Sequence, residues 1–190
     1  MAAPKKLEQA LLDLTKALEE LRPPGVVIGG IAVIASGFAR LTRDLDATFW
    51  LNGDVEEAID HFKRHRIVPR IKHAAEFART KNVLLMQHKT THFPIDLSIA
   101  MLPFEQGVIA HPRKITYKGF SLRIPHLTDL LVYKLVAHRP QDLQDAEELL
   151  NLSRQDVDVR RASKTLREFA RILERPELID AWKKMLKSFR

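Results

Sequence analysis

Two stretches of strict alternation constrain this chain more than anything else in it. Leu45, Ala47, Phe49 and Leu51 alternate with Asp44, Asp46, Thr48 and Trp50, and further on Ile95, Leu97 and Ile99 stand opposite Asp96 and Ser98. Side chains two apart in an extended chain share a face, so each stretch predicts a strand with an apolar side and a side bearing carboxylates. Before the first lies Gly25–Ile28, which reads as a short buried strand turning at Gly29–Gly30 into a helix over 31–39. Asn52–Gly53–Asp54 forms a turn and N-cap for a helix near Val55–His65. A helical piece around 74–79, a strand over 83–88, a brief helix after Pro103 and a hairpin of 114–118 with 120–124 about Gly119 follow.

The two ends read differently. Leu7, Leu11, Leu14, Leu18 and Leu21 recur at spacings of four and three over residues 5–21, an apolar stripe on a helix that docks on the protein's own core and stops at Pro23–Pro24. From Pro125 onward helices are predicted over 126–138, 140–152, 156–174 and 176–188, with Pro140 and Pro176 suited to first helical positions. The expected fold class is α/β (α+β), a small mixed β-sheet flanked by helices. Residues 1–125 form this core with its N-terminal helix, and residues 126–190 a helical C-terminal part packed on it.

A chain of 190 residues suffices for one well-packed domain. It has no cysteine, which excludes disulfides and thiolate metal sites. No apolar run approaches the roughly 20 residues of a membrane span, and MAAPKKLEQ lacks the apolar segment of a secretory signal. The expectation is a soluble cytoplasmic protein without a membrane partner. The formal charge of +7 is concentrated: Lys63, Arg64, Arg66, Arg70, Lys72, Arg79 and Lys81 face one acid, Glu76, between residues 61 and 81. Residues 151–190 carry eleven basic side chains against six acids. Such regions attract a polyanion, nucleic acid first, or simply form a solvated surface. His88 and His92 are four apart, but Pro94 and the strand pattern argue against a helical zinc pair, and both read as solvent-facing.

The chemistry lies in an order of features: strand, Gly29–Gly30, helix, then Asp44-x-Asp46, then Asp96 on a later strand. Glycines at a strand-to-helix turn let backbone approach a phosphate, and a helix start offers free N–H donors. Carboxylates at i and i+2 of a strand can ligate Mg²⁺ jointly, and a third on a neighbouring strand can complete a two-metal site. Lys134 shares one helical face with Leu127, Leu130, Leu131 and His138, so an ammonium interrupts an apolar stripe and needs a partner, either phosphate or a carboxylate such as Asp142 or Asp145. Arg40 pairs with Asp44 or Asp46 in the plainer reading, while Arg43 has opposite parity and is structural.

That order resembles the polymerase β-type nucleotidyltransferases. The string GGIAVIASGFARLTRDLD is similar, more narrowly, to small bacterial nucleotidyltransferases related to the toxins of AbiE-type abortive-infection systems. Their Arg-x-Thr-x-Asp-x-Asp segment is matched by Arg40, Thr42, Asp44 and Asp46, and their Lys…Arg-x-x-Asp-x-x-Asp signature by the segment from Lys134 to Asp142 and Asp145. The resemblance covers about residues 25–150. It implies a metal-dependent nucleotidyltransferase that moves a nucleoside monophosphate from a nucleoside triphosphate such as ATP to a hydroxyl acceptor. Two Mg²⁺ (or Mn²⁺) would be bound by Asp44, Asp46 and Asp96, with Asp96 also activating the acceptor. Gly29, Gly30, Arg40, Thr42 and Lys134 would hold phosphates, and Asp142 and Asp145 would support them from behind. It further implies an RNA acceptor such as a tRNA 3′ end and a toxin role with a small antitoxin protein as partner. One departure is that Gly-Ser is common where this chain has Gly29–Gly30. The alternative is a non-catalytic module of the same fold that binds nucleotide, nucleic acid or a partner protein.

Overall fold

The computed structural model describes residues 6–188, the side chains of residues 152–154 excepted. Helix α1 (Lys6–Glu20) buries Leu11, Leu14 and Leu18 with Ala10 and Ala17. The apolar stripe therefore does dock on the core; Lys5, at the start of the expected helix, lies outside the described residues. Strand β1 (Val26–Ile28) runs directly into α2 (Gly29–Ala35), which begins at the glycine pair itself and ends four residues short of the expected limit. The chain then loops to β2 (Leu45–Phe49) and enters α3 (Val55–Arg64), capped by the Asp54 carboxylate, which accepts from the Glu57 N–H at 2.8 Å.

A strand not foreseen, β3 (Ile67–Pro69), follows. Three residues ending in proline carry too short a pattern to register as a period. Helix α4 (Ala74–Lys81), β4 (Val83–His88), β5 (Pro94–Ile99), α5 (Pro103–Ala110) and the hairpin β6 (Arg113–Tyr117) and β7 (Phe120–Ile124) come next. Among the described residues four α-helices follow: α6 (Leu127–Ala137), α7 (Pro140–Ser153), α8 (Val159–Ile172) and α9 (Glu177–Ser188).

The main sheet is five-stranded and mixed, in the order β1-β2-β5-β4-β3. Only β2 and β5 are parallel neighbours; the other pairs are antiparallel. One continuous core cluster runs from Leu11 on α1 through Phe49, Phe62, Leu97 and Leu131 to Trp182 on α9. The rings of Phe49 and Phe62 meet edge-on at 5.3 Å, fixing α3 to β2. Truncating either ring to alanine would cost about 3–5 kcal/mol. Helix α6 packs on α2, α7, α8 and α9, and so places the C-terminal helices against the acidic side of β2. Among the described residues no helix is long and apolar enough to cross a membrane.

His88 is fully buried, which overturns its solvent-facing reading. Its Nε2 lies 2.9 Å from Asp13 on α1, and its Nδ1 accepts from the Thr91 N–H at 3.1 Å. Arg66 closes a two-pronged pair on the same Asp13 at 2.8 and 2.7 Å. By parity His88 shares the buried face of β4 with Leu84 and Met86, and Asp13 of α1 meets it there. His92 remains exposed.

Candidate active site

The register of the parallel pair builds the site. Asp46 on β2 stands directly opposite Asp96 on β5. In-register side chains on strands about 4.8 Å apart project to the same face, so both carboxylates share one side of the sheet. Asp44 sits just before β2, held by Thr42, whose hydroxyl lies 2.9 Å from the Asp44 carbonyl and 3.2 Å from its Oδ1. Burial, then the neighbouring charges of Asp44 and Asp96, push the Asp46 carboxyl up to about 6, with Lys134 and Arg139 opposing the rise. Three acids are crowded in a half-buried place where cations on this chain only partly compensate them.

The glycine pair makes that crowding possible. Gly29 has φ +63°, and a Cβ there would lie 1.9 Å from Asp46 Oδ2. At Gly30 a Cβ would come within 2.7 Å of Thr42 Oγ1 and 3.5 Å of Arg40 Cζ. The sequence suggested glycines that yield to a phosphate; the immediate neighbours they yield to are Asp46, Thr42 and Arg40.

Helices α6 and α7 supply the facing wall. Lys134 is 4% exposed, and its ammonium pairs with Asp142 at 3.0 Å and Asp145 at 2.9 Å. Arg139 closes on Asp142 from one side and Arg40 on Asp145 from the other. The result is an arc of alternating charge, Arg139–Asp142–Lys134–Asp145–Arg40, three cations holding two anions. Burial alone would raise the Asp142 carboxyl, but Arg139 and Lys134 outweigh it and hold it below its usual value. A cavity of about 190 Å³ separates this arc from the acids, lined by Gly30, Arg40, Asp44, Asp46, Lys134, Arg139, Gln141 and Asp142. An adjoining basin of about 480 Å³ shares Arg40, Asp44 and Gln141 with it and adds Leu41 and Arg43.

The structure thus brings Gly29, Gly30, Arg40, Thr42, Asp44, Asp46 and Lys134 to one cavity or its immediate wall, with Asp96 beside Asp46 and with Asp142 and Asp145 bracing the lysine. Residues 40–44 are not a strand, yet the alternate residues still converge, because the loop wraps the start of α2. Arg40 pairs with Asp145 rather than with Asp44 or Asp46.

The sequence profile described as "Nucleotidyltransferase of unknown function (DUF6036)" matches residues 5–190. This chain belongs to that family. In fold it is similar to JHP933 from Helicobacter pylori, at a TM-score of 0.51 and 16% identity over 98% of this chain and 82% of that one. It is equally similar to a second H. pylori structure, provisionally named a nucleotidyltransferase, at 0.51 and 16% over 97% and 84%. At such identity the likeness carries the fold and nothing more. No curated protein matches the chain in sequence.

Three residues at this candidate site escaped the sequence reading. Arg139 and Gln141 line the cavity, and Arg139 stood inside the quoted signature without a role. Arg70, counted only among the basic residues, donates to Asp96 Oδ1, to the Met86 carbonyl at 2.9 Å and to the Ile95 carbonyl at 3.3 Å. It follows β3, the strand without a sequence signal.

Proposed function

We propose that this protein transfers a nucleoside monophosphate from a nucleoside triphosphate to a hydroxyl acceptor. The observation that carries this is the alignment of Asp46 with Asp96 across a parallel strand pair, with Asp44 beside them and a cationic wall across a cavity of about 190 Å³. The incompletely compensated acid cluster, evident in the raised Asp46, suits hard divalent cations with oxygen ligands. Asp44 and Asp46 would hold two Mg²⁺ and Asp96 one of them. When bound, the ions neutralise charge on the reacting phosphoryl group.

The residues of the chain do the rest. Lys134 has three N–H donors, two of them engaged by Asp142 and Asp145, which leaves one for a phosphate oxygen. Arg40 and Arg139 flank it, and Gly30 borders the same space. Asp96, steadied by Arg70, takes the proton from the acceptor hydroxyl as its oxygen bonds to the α-phosphorus. The bond to the β-phosphate oxygen then breaks and pyrophosphate leaves. Nearly all of this is positioning and charge neutralisation, which is what phosphoryl-type transfer requires.

For the acceptor we favour an RNA 3′ end, on the exposed basic face of α8 and the resemblance of residues 25–150 to AbiE-type enzymes. The same resemblance supports a toxin role with a small antitoxin protein. The non-catalytic reading has one observation in its favour: Arg70 already occupies one oxygen of Asp96. Calorimetric titration of ATP with and without Mg²⁺, on the wild type and Asp44→Ala, is paired with transfer of α-labelled nucleotide to bulk tRNA. Mg²⁺-dependent binding lost in Asp44→Ala together with labelled RNA is the expected result. Binding without any transfer to RNA, protein or small hydroxyl acceptors would move the assignment to a binding module.

A further inference from the structure

Away from the acidic cleft, α1 and α3 bring together a different set of donors. Glu20 is the last residue of α1, His61 lies in the last turn of α3, and His65 is the C-cap that follows it. One ligand atom from each lies within 4.8 Å of the other two, and the two imidazole rings are 5.3 Å apart. We propose that Glu20, His61 and His65 form a binding site for a divalent transition ion of the Zn²⁺ class, which clasps the end of α1 to α3.

The tautomers are arranged for it. The Ala17 carbonyl can only accept, so the His61 nitrogen 2.8 Å from it, Nε2, carries the hydrogen and Nδ1 keeps its lone pair. Such an N–H···O=C bond from the far nitrogen orients a ligating imidazole and raises its basicity. Among the described residues that lone pair faces the Arg64 guanidinium at 3.2 Å, an exposed side chain free to swing into water. His65 Nε2 meets Glu20 Oε2 at 2.9 Å, a contact bridged by a proton that a metal ion can replace. Glu20 and His65 keep access to solvent, with side-chain exposures of 59% and 15%. Ligands about 2.0–2.2 Å from one ion lie roughly 3–4 Å apart, so side-chain rotation alone closes the present spacing, and water completes a tetrahedron. Two imidazoles and one carboxylate select Zn²⁺, Ni²⁺ or Cu²⁺ over Mg²⁺. The site is independent of the proposed transferase chemistry.

The test uses an Asp44→Asn/Asp46→Asn background, so that the cleft does not compete for the ion. Titration of ZnCl₂ is expected to show one bound equivalent and, at a hundredfold excess over Kd, a rise in melting midpoint of about 5–10 °C. MgCl₂ is expected to give no rise. Adding His65→Ala or Glu20→Gln, both at the exposed rim, should weaken Zn²⁺ binding roughly tenfold or more. Arg64→Ala, which removes the competitor for His61 Nδ1, should tighten it. His61→Ala should weaken binding as His65→Ala does; should that protein fail to fold, the Co²⁺ absorption spectrum of the background protein, lost on adding His65→Ala, reports the same ligand set. Failure to bind Zn²⁺, or binding indifferent to both His65→Ala and Glu20→Gln, overturns the assignment.

Discussion

This fold disfavours the ionisation of Asp46. Its folded value of about 6 exceeds the ordinary one near 3.8, so folding favours its protonated form. The sign follows: the penalty is absent at low pH and grows as pH rises from about 4 through 6, reaching on the order of 3 kcal/mol above that. Asp46→Asn is therefore expected to raise the metal-free melting midpoint at pH 7.5, to raise it less at pH 5, and to abolish any rise caused by Mg²⁺. Scanning fluorimetry across pH, with and without the ion, checks all three. A midpoint that falls in the asparagine variant at pH 7.5 would contradict the crowding of the three acids. Gly29 supplies the second case. An alanine there meets both a positive φ, costing about 1–2 kcal/mol, and the Asp46 carboxylate at 1.9 Å. Gly29→Ala should lose stability by more than that backbone cost and displace Asp46, weakening Mg²⁺-dependent ATP binding in calorimetry.

Between elements, buried ion pairs hold the helices in place. Lys134 on α6 ties two nearly fully buried acids of α7, and Lys134→Met would leave them to Arg139 and Arg40 alone. Removing one partner of such a group costs about 3–5 kcal/mol, and the remaining arginines put this case near the lower end. Lys134→Met is thus expected to lower stability in denaturant titration as well as weaken triphosphate binding. Restoring stability but not binding with the added Asp145→Asn change would separate the two roles. On the other side of the sheet, Asp13 joins α1 to Arg66 and to His88 of β4. Burial would raise its carboxyl, but the hydrogen bonds and charges of Arg66 and His88 prevail and hold it below the usual value. A lowered folded value means this stabilisation is complete above about pH 4 and is lost as pH falls through the folded pKa. Asp13→Asn should lower the midpoint at pH 7 and narrow the gap to wild type in acid, as thermal melts at pH 2–7 would show.

Over the whole molecule, the excess positive charge is less available than its sequence density suggests. Of the seven cations between residues 61 and 81, Lys63, Arg66, Arg70 and Arg79 are engaged by Asp60, Asp13, Asp96 and Glu56. On α8, by contrast, Arg160, Lys164, Arg167 and Arg171 are exposed and form no ion pair among the described residues, and only Arg161 is held, by Asp129 at 2.6 Å. If an RNA backbone is the partner, α8 grips it. Arg160→Glu with Lys164→Glu and Arg167→Glu is expected to weaken RNA binding and flatten its salt dependence by about 0.7 log units per lost contact. ATP binding should not change. Anisotropy measurements from 50 to 200 mM salt check this, and an unchanged slope would remove α8 from the interface.

What could be read from the chain alone was whatever repeats with a period or is punctuated by proline and glycine. The alternation around Asp46 and Asp96 set both strands to within two residues, the α1 stripe named its buried leucines, and Pro140 marked the start of α7. The same alternation put Asp44 and Asp46 on one side of the chain. It could not say that β2 and β5 would be parallel neighbours with Asp46 level with Asp96, because register is a long-range choice made by packing both faces at once. The three-residue β3 left no period, so Arg70 and its hold on Asp96 stayed hidden. Only the tertiary structure showed His88 covered by α1, Lys134 satisfied twice over, and much of the 61–81 charge neutralised. Several of these depend on partners distant in sequence, such as Asp13 for His88 or Asp96 for Arg70, and a side chain's solvent and charge environment is set by such partners as much as by its neighbours along the chain.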